Sequence, residues 1–129
     1  MAPRRTLRLV LSSTVLIAAC GGGGGSPASP TPPENANQMT ILASGALSPS
    51  ELVVAPGARV LFINNHTQRH QIASDPHPEH TDCPEINQVG LLTPGERRET
   101  GNLVSVRTCG VHDHENPDNR ALRGRIIIR

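Results

Sequence analysis

The sequence predicts an all-β domain, a sandwich or barrel of short strands. Three observations lead there. Short runs rich in Val, Ile, Leu and Thr recur between residues 38 and 129. Turn residues, including two Pro-Gly pairs, punctuate them at regular spacing. No stretch of that region carries apolar residues at helical spacing.

The elements follow in order. "QMTILAS" from Gln38 is a short β run. "SELVVAPGARVLFINN" is two β-rich runs split at Pro56-Gly57. In the second, Val60, Phe62 and Asn64 share one face and Leu61 and Ile63 the other, as a pleated strand requires. "HQIAS" from His70 is a further strand. "SDPHPEHTDCPEINQ" holds three prolines and reads as a loop. "VGLLTPGERRET" turns at Pro94-Gly95. "LVSVRTC" alternates, with Leu103, Ser105, Arg107 and Cys109 opposite Val104, Val106 and Thr108. "RGRIIIR" closes the chain as a strand.

What precedes the domain reads as an address and a tether. Residues 1–19 combine three arginines with the apolar run "LVLSSTVLIAA", too short to span a bilayer and shaped like a signal-peptide core. The run ends in "IAAC", which resembles a bacterial lipobox; the resemblance implies cleavage before Cys20 and lipidation of its sulfur. Residues 20–37, which after Cys20 read "GGGGGSPASPTPPENAN", are too poor in apolar side chains to fold and suit a flexible linker. Residues 38–129 then form one small domain on a membrane-anchored leash.

Composition narrows the function. Trp and Tyr are absent and Phe62 is the only aromatic residue, so the core is aliphatic. There is no lysine; twelve arginines, three of them in the leader, against eleven acids leave a formal net charge of −2 after processing. That balance offers no electrostatic footprint for nucleic acid. No nucleophile elbow, P-loop or HExxH motif is present, so the chain is expected not to be an enzyme. All six histidines lie between His66 and His114, and such clustering points to metal. With Cys20 lipidated, Cys83 and Cys109 remain, and an exported chain can pair them.

Taken in order, these residues resemble the cupredoxin family of plastocyanin- and azurin-like domains. "VVAPGARVLFINN" is similar to the family's paired strands. "NNHTQRH" is similar to the segment that carries its first histidine ligand, here His70. "LLTPGE" matches the Pro-Gly turn before the penultimate strand. "C-x-x-H" at Cys109 and His112 and "L-x-G-x-I-x-I" from Leu122 match the ligand loop and last strand. The resemblance implies an antiparallel Greek-key β-sandwich, one copper ion and one-electron transfer to an unidentified redox or copper-donor protein. Leu122 stands where relatives place the weak axial methionine. Counting back from Gly124 puts Asp113, not Cys109, near the family's cysteine position, and in that register the thiolate is absent.

Two chemistries fit the same residues. In one, His70, Cys109 and His112 bind copper, with His114 able to replace His112. In the other, Cys83 and Cys109 form a disulfide and copper rests on histidines alone, for storage or delivery. The thiolate set is the one adopted, because it accounts for "TCGVH" and for His70 with one mechanism. His66, His77 and His80 are then solvated loop residues. A metal-free structural module is the third possibility on the same sandwich.

Overall fold

The computed structural model describes residues 37–129. The expected signal peptide, Cys20 and the expected linker up to residue 36 lie outside the described residues.

Nine strands form two sheets: β1 (Gln38–Ile41), β2 (Leu47–Ser48), β3 (Glu51–Val54), β4 (Leu61–Asn64), β5 (His70–Ser74), β6 (Gly90–Leu92), β7 (Arg97–Glu99), β8 (Arg107–Asp113) and β9 (Gly124–Ile128). The first sheet runs β2-β1-β4-β7 and the second β3-β9-β8-β5-β6. Single 3-10 turns occur at Ile86–Gln88 and Arg120–Leu122. No helix among the described residues is long and apolar enough to cross a membrane.

Strands β1 and β9 alternate buried with less buried residues, as a sandwich demands, while β4 and β5 are buried on successive residues. Met39, Ile41, Phe62, Ile72, Val111, Ile126 and Ile128 are all buried in one cluster, joined by Val60, Leu92, Leu103 and Leu122. Phe62 is fully buried and supplies the largest buried side chain. Burying a side chain of that size stabilises the fold by roughly 1.5–3 kcal/mol. The two Pro-Gly turns form with φ of 87° at Gly57 and 82° at Gly95, the left-handed backbone that glycine adopts without steric cost. At the edge of the first sheet, β7 is Arg-Arg-Glu with every residue exposed, a charged edge that discourages further strand pairing.

Two features depart from the expectation. The sandwich is not wholly antiparallel: β1 runs parallel to β4, and β3 parallel to β9. The chain leaves the first sheet between β2 and β3 and returns at β4, so β4 meets β1 running the same way.

The second departure bears on function. Residues 103–106 are not a strand: Leu103 makes one isolated bridge to Ala58, while Val104 and Val106 are exposed. The strand begins instead at Arg107 and continues through Asp113, pairing with β9 on one side and β5 on the other. The segment "RTCGVHD", read as strand end and ligand loop, is therefore a continuous central strand.

Candidate metal centre

A strand sends successive side chains to opposite faces. On β8, Cys109, Val111 and Asp113 therefore point into the sandwich, and Gly110 and His112 point outward. Cys109 and His112, three residues apart, stand on opposite sides of the sheet and cannot share a metal. Cys109 is bonded to Cys83, 26 positions away in sequence, with Cα atoms 5.8 Å apart. Both half-cystines are fully buried. The expected thiolate ligand is thus half of a disulfide, which corrects Cys109 as a metal ligand.

His70 lies on the inner face at the start of β5. Its Nδ1 is 2.8 Å from Asp113 Oδ2, and both side chains are buried. A carboxylate only accepts, so His70 carries its proton on Nδ1. Its Nε2 then accepts from His66 Nδ1 at 2.8 Å. The other Asp113 oxygen accepts from Gln71 N at 2.9 Å and Glu115 N at 3.2 Å. Asn64 shapes the turn that delivers His66. Its amide donates to Gln68 O and Leu92 O, and its Oδ1 accepts from His66 N.

This is the place where the cupredoxin resemblance puts copper. The residues found there are two imidazoles, His66 and His70, bonded to each other, a carboxylate already satisfied by three partners, and the buried apolar Leu122. They do not fit a His2Cys copper site. His70 is not brought together with His112 or His114.

A different set of histidines converges on the outer face of the second sheet. His112 on β8 and His114, two residues on, project from the same side. His77 and His80 come from the loop after β5. Their candidate ligand atoms all lie within 4.8 Å of one another. Ring centroids are 5.1 Å apart for His80–His112, 4.8 Å for His80–His114 and 5.0 Å for His77–His114. Four nitrogens bound at about 2.0 Å to one ion would stand roughly 3.3 Å apart, so the group needs only a modest closing.

The local sequence explains the convergence. Asp75 N continues the ladder onto Gly110 O at 3.0 Å, and Asp82 N closes the loop neck onto Asp75 O at 2.8 Å. At the tip, His80 N donates to Pro76 O at 2.7 Å, and His80 O accepts from Ser74 Oγ and Asn87 Nδ2. His80 is the one non-glycine residue with positive φ among the described residues, at 54°. Such backbone costs energy and concentrates at functional sites.

Two of the four imidazoles are held in a metal-ready tautomer. His112 Nδ1 donates to Asp75 Oδ1 at 2.6 Å, which leaves the lone pair on Nε2. That Nε2 is buried and has no hydrogen-bond partner. His80 Nδ1 donates to Ser74 O at 2.9 Å, so its Nε2 also presents a lone pair. His114 Nδ1 lies 2.8 Å from that atom and donates to it in the absence of an ion. A metal-binding histidine characteristically donates its second N–H to a carboxylate or carbonyl, as both do here. Burial lowers the His112 pKa; the Asp75 carboxylate opposes the shift in part, and the nearby His80 and His77 add to it. His112 therefore stays neutral, the form that binds metal, to a lower pH than an ordinary histidine.

Comparison with solved structures places the architecture. The purple cupredoxin from Nitrosopumilus maritimus matches over 71% of this chain and 98% of its own, at 19% identity and a TM-score of 0.55. The described domain has the cupredoxin fold. Oxidised plastocyanin from Dryopteris crassirhizoma matches at 16% identity and a TM-score of 0.55, over 71% of this chain and 99% of its own. Amicyanin from Paracoccus versutus matches at 14% identity and a TM-score of 0.57, over 77% and 86%. A copper-containing nitrite reductase from Thermus scotoductus also matches, though the alignment covers 22% of that chain. No family model and no curated protein matches the sequence.

On this cupredoxin fold, His112 and His114 belong to the expected candidates, whereas His77 and His80, expected as solvated loop residues, join them in the cluster. The signal for them was present: "HPEH" lies just before Cys83, and pairing Cys83 with Cys109 delivers that loop to the strand bearing His112.

Proposed function

We propose that this chain is an exported, lipid-anchored copper-binding protein that holds its metal through His77, His80, His112 and His114 on the face of a cupredoxin-type sandwich, for storage or delivery. The observation that carries the reading is His112 Nε2, a buried lone pair without a partner, aimed into a cluster of three further imidazoles. Nitrogen donors suit copper, and Cu(II) leads the stability order of divalent first-row metals. Export and anchoring rest on the leader, on "IAAC" and on the linker. The copper proteins among the structural matches support the metal; plastocyanin and amicyanin support a non-enzymatic role.

A one-electron carrier is the second reading, favoured by the same matches. It is the weaker of the two, because the sulfur that would make a fast, coloured copper site is bound in the disulfide.

Equilibrium dialysis against Cu(II), followed by elemental analysis, tests the proposal. Wild type and His70→Ala each retain one copper ion, while His112→Ala and His80→Ala lose it. Loss of copper in His70→Ala with retention in His112→Ala would move the site to the family position. Absence of copper from the wild type would leave a metal-free module.

A further inference from the structure

The four histidines arrive on two separate pieces of chain. His112 lies on a central strand that the sheet fixes, and His114 follows directly after its end, its backbone N–H donating to Gln71 O at 2.7 Å. His77 and His80 belong to the loop between β5 and the 3-10 turn at Ile86–Gln88. From Pro76 to Glu85, Cys83 is the only buried residue; Pro76, His77, Pro78, Glu79, Thr81, Asp82 and Pro84 are all exposed. The loop thus has no apolar side chain anchoring it to the core other than that half-cystine. Its remaining ties are hydrogen bonds at its neck and tip, those to His80 from Ser74 and Asn87 being part-buried.

The disulfide sits symmetrically with respect to the histidines. Cys83 follows His80 by three residues, and Cys109 precedes His112 by three. Asp75 grips the edge of β8 at Gly110 on one side of the loop, and Cys83 passes into the core to reach Cys109 on the other. The loop therefore straddles the strand, with its sulfur beneath the sheet and its imidazoles above. Fixing the loop in this way removes most of the ordering cost that metal binding would otherwise carry.

We propose that the Cys83–Cys109 disulfide assembles the four-histidine centre, so that the chain becomes competent for metal only after oxidation; this rests on the histidine-site reading given above. In the oxidation, Cys83 and Cys109 lose two protons and two electrons and form one S–S bond. The acceptor is the disulfide of an exported thiol oxidant, which leaves as a dithiol. A reduced chain, before export, would present the two halves of the site unjoined, and copper would be captured only where disulfides form.

Zinc is the probe for the test, since Cu(II) would itself oxidise the free thiols and restore the bond. Native mass spectrometry counts zinc on oxidised and on reduced full-length chain at the same free concentration. Chelator competition measures affinity for oxidised wild type and for C83A/C109A, with cooperative unfolding of the variant checked by circular dichroism. The expected result is one zinc on the oxidised chain, and at least tenfold weaker binding both to the reduced chain and to C83A/C109A. Equal affinity in oxidised and reduced chains would overturn the inference while leaving the histidine site intact. An oxidised wild type that takes up neither zinc nor copper would overturn the histidine site itself, and this inference with it.

Discussion

Asp75 Oδ1 lies 2.6 Å from Nδ1 of the buried His112, and the residue that permits the approach is Gly110. Gly110 stands two positions before His112 on the same face of β8. A Cβ there would overlap the Asp75 carboxylate. Asp75→Asn and Gly110→Ala both disturb the group that fixes the His112 tautomer. Each should weaken metal binding about 10- to 100-fold, the usual effect of losing such a partner. Chelator competition on the folded variants measures it, and unchanged affinity in both would show that Asp75 does not support a ligand.

The two histidine groups should separate cleanly by mutation. His66 and His70 form a closed chain with Asp113 in which each facing nitrogen has a partner. The outer group has the unpartnered His112 Nε2. His77→Ala should therefore reduce copper affinity by at least tenfold, and His66→Ala should leave it within about twofold. His70→Ala should instead act on stability. It leaves the buried Asp113 carboxylate short of a partner, at a cost of about 1–3 kcal/mol or more, read as a lower urea midpoint. A loss of affinity for both His66→Ala and His77→Ala would argue for a metal bound at the end of the sandwich as well.

Thiol chemistry gives a third test. The unfolded, unreduced chain without Cys20 should contain no free thiol. Cys83→Ser or Cys109→Ser should each lower stability by about 3.5 kcal/mol, the chain-entropy value for a loop of this length. Denaturant titration measures that loss. A titre of two thiols per chain would restore Cys109 to the ligand candidates.

Acid should destabilise the metal-free domain through His112. Its folded pKa is lowered, chiefly by burial. Above the ordinary histidine value of about 6.5 the residue is neutral in both states and makes no difference. As the pH falls below that value, the unfolded chain takes up the proton and the folded chain does not, so unfolding is favoured. The loss should level off once the pH passes the lowered folded value. Urea midpoints between pH 7 and 5 should fall more steeply for wild type than for His112→Asn; parallel curves would contradict the assignment.

Much of the fold was legible because its signals are local. The short β-rich runs "LFIN", "HQIAS" and "GRIII" and the two Pro-Gly turns mark strands and corners without reference to the rest of the chain. The site was less legible because it depends on which face each residue takes. "TCGVHD" reads as a ligand loop when compared with proteins whose strand ends at the cysteine. In this chain the ladder with Ile126, Arg125 and Gly124 continues past Cys109 to Val111, and β5 extends the pairing to Asp113. Parity along the strand then separates the sulfur from the imidazole. His77 and His80 depend on a covalent bond between residues 26 apart, and no periodicity in the sequence encodes that pairing.

The central claim is that the metal rests on imidazoles and not on a thiolate. A visible and electron paramagnetic resonance spectrum of the oxidised Cu(II) form tests this most directly. The Cu(II) protein is expected to be nearly colourless, with one copper per chain and hyperfine coupling to several nitrogens. An intense thiolate-to-copper charge-transfer band, lost in Cys109→Ser and retained in His77→Ala, would contradict it.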